Sequence, residues 1–120
     1  MKHLKVTDTY NHNNSENCIA TEYDFKDKDI DLGTAVINGR YPENGYCVNE
    51  QCKELVFVLE GKGTLNFKNN KIEFQKNEAI LIDKNEPYFW GQTQTVKLLW
   101  FALQHGRPNS INLLRGRLWK

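Results

Sequence analysis

Residues 53–74, KELVFVLEGKGTLNFKNNKIEF, decide the fold class of this chain of 120 residues. In the second half of this stretch, apolar and polar side chains alternate on both sides of Asn69 and Asn70. These two residues tolerate the left-handed backbone of a tight turn, so the pattern predicts a β-hairpin. The preceding run, residues 54–59, is almost continuously apolar and is typical of a strand covered on both faces.

The same rhythm of short β-branched and aromatic segments, separated by Gly, Asn, Asp and Pro, continues over most of the chain. It predicts an all-β protein with strands at residues 34–38, 53–60, 63–67, 71–74, 79–82, 88–90 and 95–103. Residues 1–17 are polar and predict a loop or a mobile arm. The tail, residues 111–120, is compatible with either a short helix or an extended docking strand.

Composition excludes several classes of function. Sixteen basic residues against fifteen acidic ones leave a net charge of +1, which gives no field to attract nucleic acid or an anionic membrane surface. No apolar run approaches the roughly 18 residues that cross a bilayer, and no secretory-type apolar block stands near Met1. We therefore expect a cytoplasmic protein. Cys18, Cys47 and Cys52 show no C-x-x-C spacing, which predicts free thiols.

Two stretches resemble the conserved motifs of the cupin superfamily. Glu54, six further residues and Gly61 reproduce the end of the first motif, and residues 75–92, QKNEAILIDKNEPYFWGQ, are similar to the second. In the second stretch Asn85 replaces the internal glycine of the motif, and we expect it to adopt a positive φ. The resemblance covers residues 33–104. It implies a jelly-roll β-barrel of two antiparallel sheets.

The histidines that bind metal in that family have no counterpart here. The two positions of the first motif hold Val48 and Glu50 or, with the longer spacing, Cys47 and Asn49. Tyr88 takes the place of the third histidine. The resemblance therefore implies no family-standard metal and no cofactor.

The chain's own histidines, His3, His12 and His105, lie in the polar leader and after the last predicted strand. Nothing in their spacing brings them to the barrel interior. A non-standard zinc site remains an alternative, because thiolates and carboxylates are both zinc ligands. Its ligands would come from Cys47, Glu50, Cys52 and Glu54.

Strand parity predicts which side chains share the interior. If Glu54 faces inward, Cys52 and Glu50 face inward as well, whereas Lys53 and Leu55 face away. The predicted ligand-binding set adds three residues of the second motif and consists of Glu50, Cys52, Glu54, Tyr88, Trp90 and Gln92. The alternatives are a filled core, an ion pair of Glu54 with a Lys or Arg such as Arg40, a solvated Glu50 and inert buried thiols.

These residues predict a small-molecule-binding cupin barrel without the family-standard metal, acting as a sensor or carrier. The alternative is an enzyme, either of the isomerase or epimerase type or with an atypical metal, that acts on a small sugar-like or acid-like substrate. Its candidate catalytic residues are Glu54, Glu50 and Tyr88. An interaction module with a packed interior is a third interpretation.

We divide the chain into a polar arm at 1–18, the cupin barrel at 19–104 and a tail at 105–120. The tail is expected to pack on the barrel or on a dimer partner. The resemblance implies a homodimer, and the strand at 96–103 together with the tail could supply the edge or interface.

Overall fold

A computed structural model describes residues 1–91, 94–103 and 117–119. A 3-10 helix, Val6–Asp8, precedes the strands. The strands are β1 Tyr10–Ser15, β2 Cys18–Tyr23, β3 Ile30–Asn38, β4 Tyr46–Val48, β5 Lys53–Glu60, β6 Lys62–Phe67, β7 Lys71–Gln75, β8 Ala79–Ile82, β9 Tyr88–Gly91, β10 Thr95–Leu103 and β11 Arg117–Trp119. All seven predicted strands are present, with ends that differ by no more than a few residues.

Two antiparallel sheets form the barrel. The larger has the order β1-β2-β3-β10-β5-β8, and the smaller has the order β11-β4-β9-β6-β7. The predicted hairpin joins β6 and β7, and Phe67 donates its backbone N–H to the carbonyl of Asn70 across the turn. The all-β class and the two-sheet jelly roll are confirmed.

The core lies between the sheets and follows the two-residue period of the strands. Along β10, Val96, Leu98, Trp100 and Ala102 are buried. Strands β3 and β5, on either side of β10, alternate in the same way. The inner face of the larger sheet is therefore defined residue by residue, because directly paired residues of antiparallel strands point to the same side.

The opposite face of the larger sheet, which we call the outer apolar face, is also apolar. In one row across five strands it presents Leu81, Leu55, Phe101, Leu32 and Tyr23. The expectation that the run at 54–59 is covered on both faces is wrong for the single chain. Leu55 is 43% exposed and Leu81 is 60% exposed.

The N-terminal segment differs from the expectation of a loop. Tyr10–Ser15 forms β1, an edge strand paired with β2. Its side chains are mostly polar, three of the six are exposed and none is fully buried, so the sequence shows no hydrophobic strand pattern there. An edge strand needs only backbone hydrogen bonds to one neighbour, and a polar segment can supply them. The division of the chain into arm, barrel and tail stays a prediction.

The position of β10 corrects a second expectation. It lies between β3 and β5 in the middle of the larger sheet, so its backbone is paired on both sides and cannot offer an edge to a partner. In the tail, Arg117–Trp119 pairs with β4, which agrees with the extended alternative for these three residues. The other residues of 104–120 lie outside the described part of the chain.

The turns use residues suited to positive φ. Asn85 has φ 64°, as predicted, and Asn77 has φ 73°. Gly61, the last residue of the first motif, has φ 87°, and a Cβ there would lie 2.5 Å from the carbonyl oxygen of Thr95. Among the described residues no helix is long and apolar enough to cross a membrane.

Candidate functional site

A hydrogen bond between the two sheets marks the interior. Glu54 lies on β5 of the larger sheet, and Tyr88 lies on β9 of the smaller one. The Tyr88 hydroxyl donates to Oε1 of Glu54 over 2.9 Å, and both side chains are buried. The side chains beside Glu54 in the sheet are Ile82 and Ala102, so the carboxyl group stands among apolar neighbours.

Burial sets the protonation of this pair. Removal from water raises the pKa of Glu54 to about 8, and the hydrogen bond from Tyr88 lowers it only in part. Burial, followed by the nearby charge of Glu54, raises the pKa of Tyr88 well above its usual value. At neutral pH the pair therefore consists of a carboxylic acid and a phenol. Such a pair can donate and accept protons without carrying a net charge.

Two thiols lie close to the pair. Cys47 on β4 is directly opposite Tyr88 in the register, and Cys18 interacts electrostatically with Cys47. Burial raises the pKa of each thiol to about 12, and for Cys47 the charge of Glu54 adds to the effect. Because the thiolate is the reactive form, both groups are inert near neutral pH.

Aromatic rings complete the wall of the smaller sheet. Trp90 packs edge-to-face on Tyr88 with the ring centroids 5.9 Å apart, and on Phe74 at 5.5 Å. The indole N–H groups of Trp90 and Trp100 are both buried. Neither has a hydrogen-bond partner among the residues that the structure describes. An unmet buried donor costs about 1–3 kcal/mol, and two such donors lie in the described part of the interior.

No family model matches the chain, and no curated protein matches it. Solved structures do. The nucleoside dehydratase Pac13 of Streptomyces is similar over 89% of this chain and 85% of its own, with a TM-score of 0.74 and 11% identity. The polyketide cyclase RemF from Streptomyces resistomycificus is similar over 92% and 88%, with a TM-score of 0.68 and 19% identity.

An RmlC-like cupin from Shewanella frigidimarina is similar over 89% of this chain and 95% of its own, with a TM-score of 0.70 and 7% identity. The chain has the cupin fold. Three variants of the nucleoside dehydratase have been solved with uridine. These similarities establish the barrel architecture of the chain. They do not establish its chemistry, which depends on the side chains of this chain.

The cupin barrel places four of the predicted site residues in its core. Glu54, Cys52, Tyr88 and Trp90 are buried, as predicted. Lys53 and Leu55 face outward, also as predicted. Gln92 lies outside the described residues.

Glu50 is exposed, so the expectation that it shares the interior is wrong. Strand β4 ends at Val48 and β5 begins at Lys53, and the residues between them form a turn rather than a continuous strand. Oδ1 of Asn49 holds this turn by accepting the backbone N–H groups of Gln51 and Cys52. The alternation of side chains between the two faces of a strand does not continue through such a turn.

Arg40 does not pair with Glu54. Its guanidinium donates to the carbonyl oxygens of Pro42 and Gly45 and lies over the ring of Phe89, 3.8 Å from the centroid. The predicted ion pair is therefore wrong in its Arg40 version. No cation balances the buried carboxyl among the contacts described for it.

The residues at the family's metal positions do not fit a metal centre. Tyr88 stands in for a histidine, and its hydroxyl engages the one carboxyl group that the motif retains. In the described part of the chain no group of three or more His, Cys, Asp or Glu side chains is placed to hold a metal ion. The exposed position of Glu50 also separates it from the non-standard zinc set considered above.

Sequence reasoning missed several interior residues. Glu22 and Asp31 are buried on β2 and β3, and Trp100 is buried on β10. The two-residue alternation along β2 and β3 places residues 18, 20 and 22 and residues 31, 33 and 35 on the inner face. The hydrophobic pattern does not show this alternation, because these inward residues are small or acidic rather than large and apolar.

A separate open groove of about 750 Å³ lies along β6 and β7. Its lining includes Lys62, Glu73 and Glu78 and does not include Glu54 or Tyr88. The charged groups of this groove have mixed signs. We therefore treat the barrel interior, and not the groove, as the candidate site.

Proposed function

We propose that this cupin barrel binds a small organic molecule in its interior, beside Glu54 and Tyr88, and acts as a sensor or carrier without the family's metal. One observation carries the proposal, namely the buried hydrogen bond between these two side chains. A fold that needed only a packed core would gain by replacing both groups with apolar ones, because a buried carboxyl is costly without a counter-charge. Buried groups with strongly shifted pKa values are concentrated at functional sites.

The structural neighbours support this proposal at the level of chemistry class. Two of them are described as a nucleoside dehydratase and a polyketide cyclase, so this barrel architecture can accommodate reactions of small organic molecules. Neither substrate is carried over to this chain, because the identities are below 20%.

An enzyme of the isomerase or epimerase type is the second candidate. It is favoured by the pKa of about 8 for Glu54, because a general acid or base works best when its pKa lies near the working pH. Glu54 would move the proton, and the Tyr88 hydroxyl would donate to the developing oxyanion. Glu50 no longer belongs to this set, since it is exposed.

The binding proposal is tested by screening a library of small sugars, acids and nucleosides by thermal shift. A ligand that binds only the folded state raises the melting temperature. We expect at least one saturable shift that is lost or weakened at least tenfold in Glu54→Gln. Glu60→Gln, an exposed position on the same strand, is the matched control and should behave as wild type. Equal shifts in both variants would contradict the proposal.

Turnover of a bound ligand distinguishes the enzyme from the binder. Any ligand found by thermal shift is incubated with wild-type protein and followed by NMR. Conversion that stops in Glu54→Gln favours the enzyme, and an unchanged ligand favours the sensor or carrier.

Elemental analysis of tag-free wild type and Glu54→Ala tests for an atypical metal. Stoichiometric metal that disappears in the variant would overturn the metal-free proposal.

We also propose a homodimer formed by packing the outer apolar face of two copies against each other. Five strands about 4.8 Å apart, four with at least three outward positions about 7 Å apart and β8 with two, give roughly 470 Å² of flat area, compared with the ~800 Å² per partner of a standard interface. Charged residues of both signs border the face, with the Lys53–Asp83 ion pair at one end. A second copy would cover the run at 54–59 on its exposed side.

We also propose that the protein is located in the cytoplasm.

A further inference from the structure

Strand β8 forms one edge of the larger sheet. It pairs with β5 on one side, and no other strand in the described part of the chain pairs with its opposite side. The edge strand at the far end of the sheet, β1, is mostly polar, whereas β8 has the sequence Ala-Ile-Leu-Ile and leaves Leu81 60% exposed. An apolar edge of this kind is open to pairing with a strand of another chain.

The hydrogen-bond ladder shows which backbone groups face the free side of β8. Val58 on β5 donates its N–H to the carbonyl oxygen of Glu78 over 2.9 Å, so these two residues form a hydrogen-bonded pair. Hydrogen-bonded and non-hydrogen-bonded pairs alternate along antiparallel strands. The register of β5 and β8 therefore directs the N–H and C=O groups of Ala79 and Leu81 away from β5, toward the free side.

Two turns of the same kind flank β8. Residues 75–78 and residues 83–86 both have Lys-Asn-Glu as their last three residues. The asparagine has a positive φ in both turns, 73° at Asn77 and 64° at Asn85. In both, Oε1 of the glutamate accepts the backbone N–H of the first residue of the turn. Both lysines are exposed. Each end of β8 therefore carries one basic and one acidic side chain in a similar backbone setting.

This repeat makes the β8 region complementary to a second copy of itself. When two β8 strands are aligned antiparallel and centred on Leu81, Glu78 of each copy lies opposite Lys84 of the other. Further out, Lys76 of each copy is level with Glu86 of the other. Opposite charges at facing positions favour the pairing of two strands. A contact in which both copies use the same patch requires this kind of self-complementarity.

The charge match is specific to one register. The backbone groups on the free side belong to every second residue, so the alternatives nearest to this register move its centre by one residue. Centring on Ile80 places Lys76 opposite Lys84 of the other copy. Centring one residue later than in the matched register places Glu78 opposite Glu86. Like charges at facing positions are destabilising, so both alternatives are disfavoured.

We propose that β8 pairs with β8 of a second copy, antiparallel and centred on Leu81, and joins the two larger sheets into one continuous sheet. Leu81 exchanges two main-chain hydrogen bonds with its counterpart, and Ala79 of each copy donates to the carbonyl oxygen of Asp83 of the other. The contact closes on itself, because it occupies the free edge of both copies. It depends neither on a ligand nor on the proposed packing of the outer apolar faces. Where both contacts form, four copies associate.

Two substitutions separate the edge contact from the packing of the outer apolar faces. Leu81 belongs to both surfaces, so the face is disrupted instead with Leu55→Lys, on the neighbouring strand. Ala79→Pro removes an N–H on the free side of β8, and an edge strand tolerates proline there. A four-residue edge buries little area, so we expect a weak, concentration-dependent dimer.

Sedimentation velocity at high micromolar concentrations measures the mass of both proteins, and circular dichroism confirms that they are folded. We expect Leu55→Lys to form dimers and the double variant Leu55→Lys/Ala79→Pro to be monomeric. A monomeric Leu55→Lys would overturn the edge contact and leave the proposed packing of the faces standing. A double variant that still dimerises would also overturn the edge contact.

Charge reversals in the Leu55→Lys background test the register. Glu78→Lys and Lys84→Glu each replace two attractive pairs of the dimer with two repulsive ones, so each should weaken it about tenfold. An equimolar mixture of the two should recover, because every such pair in the mixed dimer is attractive. Lys28→Glu, at an exposed lysine between β2 and β3, is the matched control. Unchanged dimers in either reversal, or no recovery in the mixture, would contradict the register centred on Leu81.

Discussion

The hydroxyl of Tyr88 and the carboxyl of Glu54, 34 positions apart in sequence, meet over 2.9 Å across the two sheets of the barrel. The bond joins a phenol and a carboxylic acid that are both neutral at pH 7, since burial raises the pKa of each. It is therefore a polar contact between the sheets that a shift of pH can alter. Its consequences can be measured without knowing the ligand.

Stability is expected to fall as pH rises from about 4.5 to about 8. In the unfolded chain Glu54 loses its proton near 4.5, the ordinary pKa of a glutamate side chain, whereas in the folded chain it keeps the proton up to about 8. Between these values the folded state binds more protons, so the free energy of unfolding decreases with pH. Urea unfolding at half-unit intervals measures the slope. In Glu54→Gln this contribution should disappear, and an identical slope in the variant would contradict the shifted pKa.

Removal of the Tyr88 hydroxyl should raise the pKa of Glu54 further, because the hydrogen bond from Tyr88 is what lowers it. We expect Tyr88→Phe to lose about 1 kcal/mol of stability at pH 6, the usual net value of a buried hydrogen bond. Carbon-detected NMR of the Glu54 carboxyl measures the titration. A pKa that falls in the variant would show that the phenol does not donate to this carboxyl.

Gly33→Ala should destabilise the barrel by roughly 1–3 kcal/mol, because the new Cβ would lie 2.4 Å from the ring of Trp100. The clash is specific to that ring. In a Trp100→Leu background the same glycine change should cost less than half as much. Chemical unfolding of the four proteins completes the cycle, and additive costs would argue against contact between the two residues.

Leu81→Lys should dissociate the proposed homodimer. The side chain is 60% exposed at the centre of one edge of the outer apolar face, and two copies would bring like charges into an apolar contact. Val6→Lys, at an exposed apolar residue on the 3-10 helix, is the control. Sedimentation velocity at micromolar concentrations reports the mass. A monomeric wild type, or a dimer that survives Leu81→Lys, would reject this surface.

Asn85→Ala should cost roughly 1 kcal/mol, whereas Asn85→Gly should be close to neutral. The residue has φ 64°, where a Cβ is unfavourable and Asn is better tolerated than most residues. Thermal unfolding compares the three proteins. Equal melting temperatures for the Ala and Gly variants would indicate that this turn relaxes out of the left-handed region.

The strand pattern was readable from the sequence wherever one face is buried and apolar. The hairpin around Asn69 and Asn70 and the central strand β10 follow from periodicity alone. Strand β1 could not be found in this way, because its side chains are polar and its role is backbone pairing at an edge. The inward position of Glu54 followed from parity. The outward position of Glu50 did not, since the turn held by Asn49 interrupts the alternation.

The partner of Glu54 was also beyond sequence reasoning. Arg40 was a predicted ion-pair partner and Tyr88 was predicted only to share the interior, and the packing of the two sheets decides between a cation and a phenol. Similarly, the place of Trp100 over Gly33 depends on the register between β10 and β3, which no local pattern contains. Long-range register is the information that a single sequence lacks.

The asparagines, histidine and serine of β1 also make this edge of the larger sheet unfavourable for pairing with a strand of another chain. The strand ends the larger sheet and presents backbone groups that a second chain could pair with. A strand of a second chain would gain hydrogen bonds there but would bury little apolar surface. Asparagine also has low β-propensity. The polar edge strand thus disfavours the edge-to-edge pairing by which fibrils grow. Substituting valine or isoleucine into β1 would favour aggregation at this edge.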